Sequence, residues 1–334
     1  MKKTLIILFV VAFAAISCLC FVACKDEQKD DGTIRLNEVT HSVFYAPLYV
    51  GINKGYFEEN GLTIELTNGG GSDKSMTALI TGDADVALLG PETSVYVKTQ
   101  GSTNTAKIFA QLTQKDGSFL IGRTKQENFK WTDLTDKEVI GGRRGGMPAM
   151  CLEYAVAQNG LVDGETVNIN YDVQFDLITA AFESGVGDYC TMFEPAASQY
   201  EAEGKGYLIT SVGKEVGNVA YTCFMATEKY IADHPEKIKS FLKALVKSIE
   251  FCQTATSEAI AEALQPSFST TDKTLLVKAV DSYRSIDAWT TVPYMTEDSF
   301  SHLQDVLLRA GTIQAKVAYK DVVDNTLLDA VLKG

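Results

Sequence analysis

The fold of this chain is indicated by the stretch TALITGDADVALLGPETSV, residues 77–95, because a second stretch repeats it. Residues 179–197 read TAAFESGVGDYCTMFEPAA. At a constant offset of 103 positions the matched residues are Ala78 with Ala181, Leu79 with Phe182, Thr81 with Ser184, Gly82 with Gly185, and Asp85 with Asp188. Each copy reads as the end of a helix, a glycine that stops it, a buried strand and the start of another helix. The repeat predicts that the chain builds the same strand corner twice.

Short strand-like runs alternate with helical runs around both corners. The predicted strands are 33–39, 62–68, 85–90 and 106–112 in a first unit, and 138–142, 167–173, 188–193 and 207–212 in a second. The predicted helices between them are 47–61, 72–82, 91–101, 147–160, 176–185 and 194–204. This alternation is typical of parallel sheets covered by helices on both faces. We therefore expect two lobes, each with its own parallel sheet.

The first residues have the pattern of an export signal. Two lysines precede an apolar run, and the segment FVAC ends at Cys24, directly before the charged residues KDEQKDDG. This ending resembles a bacterial lipoprotein signal that is cut before Cys24, which then carries lipid. We predict a signal peptide at 1–23 and a lipidated, disordered tether at 24–32. Cleavage before Cys18 and a single membrane-spanning anchor are the alternatives.

Composition and charge limit the class of protein. Hydrophobic residues make up 46% and charged residues 22% of the 334 residues, which is enough to build two lobes with apolar cores. The formal net charge is −13, and loss of the two signal lysines leaves −15. A chain this acidic is not expected to bind nucleic acid. The remaining cysteines show no metal-ligand spacing, so buried thiols are predicted at Cys151, Cys190, Cys223 and Cys252.

A binding cleft is predicted where the two units face each other. Ligands of open parallel sheets bind outside the carboxyl ends of the strands, where helix amino termini point outward. Six loops each follow a strand and precede a helix: 40–47, 68–74 and 90–93 in the first unit, and 141–148, 174–176 and 193–195 in the second. Equivalent loops from both units would therefore line one cleft.

Three stretches resemble a family of transport proteins. They are APLYVGINKGYFEENGLTIEL, ALITGDADVALLG and ATEKYIADHPEKIKSFLKALVKS. They resemble the solute-binding proteins of ABC importers for nitrate, aliphatic sulfonates, taurine and thiamine-pyrimidine precursors, over essentially the whole chain after the signal. The resemblance implies an α/β, bilobal type II periplasmic-binding-protein fold with two parallel-rich sheets, flanking helices and a hinge. It divides the chain into lobe 1 at 33–118, lobe 2 at 119–218, and a return to lobe 1 at 219–334.

The loops supply the candidate ligand-binding residues. They are His41, Phe44, Tyr45, Gly70, Gly71, Ser72, Glu92, Thr93, Arg143, Gly145, Gly146, Met147, Gln174 and Glu194. Phe44 and Tyr45 offer rings for stacking, and the glycines bring bare backbone close to a ligand, with Ser72 capping the helix that follows. The alternatives are core packing for the two rings, an ordinary loop position for His41 and a flexible turn at the glycines.

The charged candidates point to different ligands. Glu92 and Glu194 suit amino or amidine-like donors, although each also fits as a first-turn glutamate beside a helix dipole. Arg143 and Arg144 suit an anion, and at most one should face the cleft because adjacent side chains point to opposite sides. Two carboxylates against one arginine favour a thiamine-pyrimidine precursor slightly over an aliphatic sulfonate, taurine or nitrate.

The predicted function is capture of a small solute by a monomeric, lipid-anchored, extracytoplasmic receptor. It would close about its hinge and deliver the solute to an ABC permease and its ATPase. A thiamine-pyrimidine synthase of the same fold is the enzyme alternative, but that family carries a cysteine cluster and several histidines for iron. Here the histidines are His41, His234 and His302 alone. The chain is therefore expected to perform no catalysis and to need no metal or cofactor.

Overall fold

The computed structural model describes residues 31–101 and 106–333. The predicted signal peptide, Cys24 and nearly all of the predicted tether lie outside the described residues. Two five-stranded sheets, each flanked by helices, confirm the predicted α/β class. The first sheet has the order β2-β1-β3-β10-β4, with β1 Thr33–Glu38, β2 Thr63–Asn68, β3 Val86–Leu89, β4 Ala106–Thr113 and β10 Thr222–Thr227. The second has the order β7-β6-β8-β5-β9, with β5 Phe119–Gly122, β6 Glu138–Ile140, β7 Asn168–Asn170, β8 Tyr189–Met192 and β9 Tyr207–Ser211.

The helices follow the predicted alternation, except that the last of those between the strands was not predicted and the first is shorter than predicted. Between the strands lie α1 Ala46–Asn53, α2 Ser72–Thr81, α3 Glu92–Thr99, α4 Met147–Gln158, α5 Ile178–Glu183, α6 Ala196–Ala202 and α7 Val212–Val216. The continuous helix predicted at 47–61 is wrong, because α1 stops at Asn53 and a separate 3-10 turn, Glu58–Asn60, follows. That turn ends at Gly61, whose φ of 75° is in the left-handed region that glycine favours.

The repeated corner forms the same local structure in both sheets. The Arg35 amide donates to Asp85 Oδ2 at 2.9 Å, and the Glu138 amide donates to Asp188 Oδ2 at 2.9 Å. In return, the backbone amides of Asp85 and Asp188 donate to the carbonyls of Arg35 and Glu138, at 2.9 and 2.8 Å. Each aspartate thus ties the start of a strand, β3 or β8, to the parallel neighbour, β1 or β6. The sequence repeat therefore encodes a carboxylate clamp between two strands.

Both sheets are parallel-rich but contain one reversed strand each. β1 pairs with β3, and β6 with β7 and β8, in parallel. β10 runs antiparallel to β3 and β4, and β5 runs antiparallel to β8 and β9. The sheets are therefore parallel-rich, as the resemblance implied, with an antiparallel strand in each. Each antiparallel strand begins where the chain has just arrived from the other sheet, at the carboxyl ends of the parallel strands, so it must run in the opposite direction.

The chain passes between the sheets twice, at 114–118 and 212–221, and the two passages lie side by side. The Val219 amide donates to the Gln114 carbonyl at 2.9 Å, and the Val212 amide to the Ser118 carbonyl at 3.1 Å. The two sheets are therefore connected by a pair of hydrogen-bonded segments.

The carboxyl-terminal helices return to the first sheet. They are α8 Glu228–Asp233, α9 Pro235–Thr254, α10 Ser257–Leu264, α11 Lys273–Ser285, α12 Glu297–Arg309, α13 Tyr319–Val322 and α14 Thr326–Lys333. The long helix α9 packs on α1, and Val323 forms a bridge with Ile108 of β4. In the described part of the chain, every helix is too short or too polar to cross a membrane.

Candidate ligand-binding site

A cavity of about 510 Å³ lies between the two sheets, at the carboxyl ends of their parallel strands. Its lining from the first sheet consists of Val39, Thr40, Tyr45, Asn68, Gly70, Gly71, Ser72, Asp73, Lys74, Gly90, Tyr221 and Thr222. Its lining from the second consists of Gly141, Gly142, Arg143, Gly146, Met147, Pro148, Ala149, Gln174, Phe175, Asp176, Leu177 and Phe193. All six loops that the sequence singled out reach this cavity.

The predicted site residues divide into two groups. Those that line the cavity are Tyr45, Gly70, Gly71, Ser72, Arg143, Gly146, Met147 and Gln174. The others, His41, Phe44, Glu92, Thr93, Gly145 and Glu194, do not belong to its lining. Each residue of this second group is held away from the cavity by different contacts.

Aromatic side chains form one wall of the cavity in two layers. Tyr45, Phe175, Phe193 and Tyr221 line the cavity. Phe44 is completely buried behind them, with ring centroids 5.4 Å from Phe193 and 5.6 Å from Tyr221. The core-packing alternative therefore describes Phe44, whereas Tyr45 faces the cavity.

His41 is turned away from the cavity by a buried carboxylate. Its Nδ1 lies 2.9 Å from Glu38 Oε1, and its Nε2 lies 2.8 Å from the carbonyl oxygen of Ser267. The ring also stacks on Phe268, with centroids 4.6 Å apart. The hydrogen bond to Glu38 raises the pKa of His41, because it stabilises the imidazolium. The structure therefore places this histidine in a link between the loop after β1 and the segment before α11.

Glu194 is held by hydroxyl groups outside the cavity lining. Its carboxylate accepts hydrogen bonds from the Ser198 amide at 2.9 Å and from the Ser198 and Ser282 hydroxyls at 2.7 Å each. Its carbonyl oxygen accepts a bond from Ser42 Oγ at 3.2 Å, which joins it to the loop after β1. The sequence predicted this carboxylate on the cavity wall, but here its side chain is bonded to Ser198 and Ser282 and lies outside the lining.

Glu92, Thr93 and Ser72 shape the floor of the cavity near Gly90. Glu92 is the first residue of α3 and is 2% exposed. Thr93 Oγ1 donates to the Gly90 carbonyl at 2.7 Å. Ser72 was expected to cap α2, but Gly71 holds the N-cap position, and Ser72 Oγ instead accepts a hydrogen bond from the Gly90 amide at 3.3 Å. These residues therefore stabilise the turn beneath the cavity surface.

The two adjacent arginines separate as expected. Arg143 lines the cavity, and its Nη2 lies 3.3 Å from Asp73 Oδ1 on the opposite wall. Arg144 lies over the ring of Tyr171, with 3.7 Å between its guanidinium carbon and the ring centroid, and pairs with Asp163 at 3.9 Å. Gly145 is also outside the lining, and its carbonyl accepts a bond from Tyr96 at 3.4 Å. Arg143 is therefore the arginine that a solute in this cavity would meet.

Charges in the cavity lining balance each other. Asp73 and Asp176 are acidic, and Lys74 and Arg143 are basic. Since Arg143 is already paired with Asp73, the cavity does not offer an uncompensated guanidinium to a ligand. Its polar surface is supplied instead by neutral groups, including Asn68, Gln174 and Thr222.

Several lining residues were missed by the sequence analysis. Phe175 and Asp176 directly follow Gln174, and Phe193 directly precedes Glu194, so the loop positions themselves gave the signal. Tyr221 ends the second passage between the sheets, and Thr222 begins β10. No rule about the strand ends of a single sheet would find them, because they reach the cavity only where the two sheets come together.

The cysteines in the described residues are all free thiols. Cys151, Cys190, Cys223 and Cys252 are buried and free, which confirms their predicted state. Across residues 31–101 and 106–333, no three His, Cys, Asp or Glu side chains gather closely enough to hold a metal ion.

Comparison with known proteins identifies the family. A family model described as "NMT1/THI5 like" matches residues 43–259. YtlA of Bacillus subtilis (strain 168), which is named as a candidate binding protein, is 35% identical over 309 residues, covering 92% of each chain. The chain belongs to the NMT1/THI5-like family. This confirms the resemblance to solute-binding proteins of ABC importers that its motifs indicated.

This NMT1/THI5-like chain shares its fold with a solved transport protein and some sequence similarity with an enzyme. The alkanesulfonate-binding protein SsuA from Xanthomonas axonopodis pv. citri, bound to MOPS, superposes with a TM-score of 0.70 at 13% identity, covering 88% of this chain and 98% of SsuA. The 4-amino-5-hydroxymethyl-2-methylpyrimidine phosphate synthase of Schizosaccharomyces pombe is 22% identical over 222 residues, 60% of each chain. SsuA establishes the periplasmic-binding-protein-like fold of this family member.

Proposed function

We propose that the protein is an extracytoplasmic solute-binding component of an ABC importer. The observation that carries this proposal is the cavity of about 510 Å³, to which loops from both sheets contribute. A cavity of this size suits a small organic molecule. Because its walls belong to different sheets, a solute that contacts both would favour the closed arrangement. The paired passages at 114–118 and 212–221 are the natural place for the hinge between lobes with the predicted boundaries.

The lining favours a neutral, ring-bearing solute. Glu92 and Glu194 were predicted to offer acceptors for amino donors, and neither lines the cavity. The preference now rests on Tyr45, Phe175 and Phe193, which offer ring faces, and on the balanced charges of the lining. A thiamine-pyrimidine precursor combines a flat ring with polar edges and remains the favoured solute class.

An anion is the second candidate, and a specific feature supports it. Helices α2 and α4 begin at the cavity, and their first amides and positive dipole ends favour a negative group such as a sulfonate or nitrate. Arg143 would add to this attraction if the solute displaced Asp73 from it. An aliphatic sulfonate, taurine or nitrate would bind in this way.

The partners and location follow from the same proposal. An ABC permease with its ATPase would receive the solute, and a lipid on Cys24 would hold the monomeric receptor at the outer side of the cell membrane. The synthase relative keeps an enzyme of this fold as a remote alternative. We favour binding, because His41 is occupied by Glu38 and Ser267 and does not line the cavity.

Calorimetric titration of solute-free protein separates the two ligand classes. The panel is 4-amino-5-hydroxymethyl-2-methylpyrimidine, taurine, an alkanesulfonate and nitrate. We expect the pyrimidine to bind with micromolar or tighter affinity and to be little affected by Asp73→Asn. An anion would instead bind more tightly to Asp73→Asn, which frees Arg143, and would be lost on Arg143→Ala. That second pattern, without pyrimidine binding, would reverse the preference.

A further inference from the structure

The carboxylate of Glu92 lies directly beneath the cavity surface. It folds back against Gly90 so closely that a Cβ on residue 90 would overlap it. Gly90 and Ser72 line the cavity, and the Gly90 amide donates to the Ser72 hydroxyl at 3.3 Å. Only the bare backbone of Gly90 and the small side chain of Ser72 therefore stand between Glu92 and the cavity.

One oxygen of this carboxylate has no partner. The backbone amide of Glu92 and the Ser72 hydroxyl are the polar neighbours that favour its charged form. Its Oε2, however, is buried and finds no hydrogen-bond partner anywhere in residues 31–101 and 106–333. A buried acceptor left without a donor costs about 1–3 kcal/mol. Burial also raises the pKa of Glu92 to about 7, because the charged form is poorly solvated.

The charged and titratable side chains around Glu92 do not donate a hydrogen bond to Oε2. Arg143 is the positive group that acts on it, and Asp73, which already pairs with Arg143, is the negative one. The other titratable side chains that face it are Tyr45, Tyr96, Cys151 and Cys223. Burial raises the pKa of each of these four groups, so all of them are neutral at pH 7.

We propose that Glu92 is a specificity-determining residue, whose free oxygen accepts a hydrogen bond from an N–H group of the bound solute. The inference rests on the proposed function, because it needs a solute in the cavity. Oε2 is buried beneath Gly90 and Ser72, so a donor at the cavity floor would reach it once the Ser72 side chain rotates aside, without moving the helix. The ionised carboxylate is the stronger acceptor, so binding favours the charged form and releases a proton. Affinity for a donor-bearing solute should therefore rise with pH through about 7 and be constant above it.

Matched pairs of compounds test this proposal without deciding the ligand class. 4-Aminopyrimidine is compared with pyrimidine, and taurine with ethanesulfonate, so that each pair differs by one nitrogen donor group. Calorimetry at pH 6, 7 and 8 is performed on the wild type, Glu92→Gln and Glu92→Met. In the pair that binds, we expect the donor-bearing member to bind at least about tenfold more tightly to the wild type.

The variants distinguish hydrogen bonding from titration. Glu92→Gln keeps a carbonyl acceptor and should retain part of the preference but lose its dependence on pH. Glu92→Met has no acceptor and should lose the preference. Glu194→Gln is the control, because that buried carboxylate is fully hydrogen-bonded outside the lining, and it should leave the preference unchanged. Thermal melting shows that each variant is folded.

Several outcomes would overturn the inference. Equal affinity for both members of the binding pair contradicts it, as does a preference that persists in Glu92→Met; both leave the proposed function standing. If neither pair binds, the solute released from the purified protein is identified by its mass, and its structure then tests the inference. A solute without an N–H donor contradicts the inference alone, and one with such a donor should bind Glu92→Met more weakly than wild type. A protein that carries no solute and binds neither pair contradicts the proposed function as well.

Discussion

Arg143 and Asp73 form an ion pair, with 3.3 Å between Nη2 and Oδ1, that spans the cavity from one sheet to the other. Arg143 belongs to the loop after β6, and Asp73 to the first turn of α2. The side chains are 44% and 63% exposed, so the pair should contribute within about 1 kcal/mol to folding stability. Its position makes it more important for how the two lobes are arranged than for whether they fold.

The first prediction concerns this pair and the closure of the lobes. Asp73→Asn removes the attraction across the cavity, so the solute-free protein should be less compact in small-angle X-ray scattering. Its free energy of unfolding should change by no more than about 1 kcal/mol. Raising the salt concentration should have a similar effect on wild-type compactness, because exposed charges are screened. If Asp73→Asn lowered the free energy of unfolding by several kcal/mol and left the compactness unchanged, the ion pair would stabilise the fold rather than the closed arrangement.

The second prediction concerns the repeated corner. Asp85 and Asp188 make the same hydrogen bond to the neighbouring strand, so alanine at either position should reduce the free energy of unfolding by about 1–2 kcal/mol. Denaturant unfolding measures both. Asp83→Ala is the control, because Asp83 is exposed on the same turn. If only one of the two alanine variants were destabilised, the two aspartates would not contribute equally to stability, despite the sequence repeat.

The third prediction concerns the stability of the protein as a function of pH. The folded state raises the pKa of Glu92 from its usual 4.5 to about 7, so it binds a proton that the unfolded chain releases between these values. Wild-type stability from this group is therefore greatest at low pH and is lost as pH rises to about 7. Relative to wild type, Glu92→Gln should gain about 3 kcal/mol between pH 4.5 and pH 8. Parallel stability curves for the two proteins would contradict the unsatisfied state of this carboxylate.

The fourth prediction concerns the proposed lipid anchor. Cys24→Ala removes the thiol that would carry lipid, so the protein should move from the membrane fraction to the soluble fraction. Labelling with a radioactive fatty acid should be lost at the same time. Retention of the variant in membranes after a high-salt wash would instead favour the alternative of a membrane-spanning segment.

Local pattern predicted eight of the ten strands in the described residues, both corners and the loops that reach the cavity. These features depend on residues close together in the chain, such as Gly82 and Asp85 in one corner. The reversed strands β5 and β10 were not predicted, because their direction depends on where the chain arrives from the other sheet.

Side-chain directions at the site depended on partners far away in sequence. His41 is held by the carbonyl of Ser267, and Glu194 by the hydroxyl of Ser282. Both partners belong to the carboxyl-terminal region, where no motif marked them. The loop positions therefore predicted which segments meet at the cavity, but not which of their side chains line it.

Native mass spectrometry of the purified protein tests the central proposal most directly. The wild type should carry one small molecule per chain, released on denaturation. Gly146→Trp adds a large ring at a residue of the cavity lining with an ordinary φ of −87°, and should abolish this occupancy. Val162→Trp, at an exposed position outside the lining, should retain it. A bound molecule that survives in Gly146→Trp, or a wild type that carries none, would contradict solute binding in this cavity.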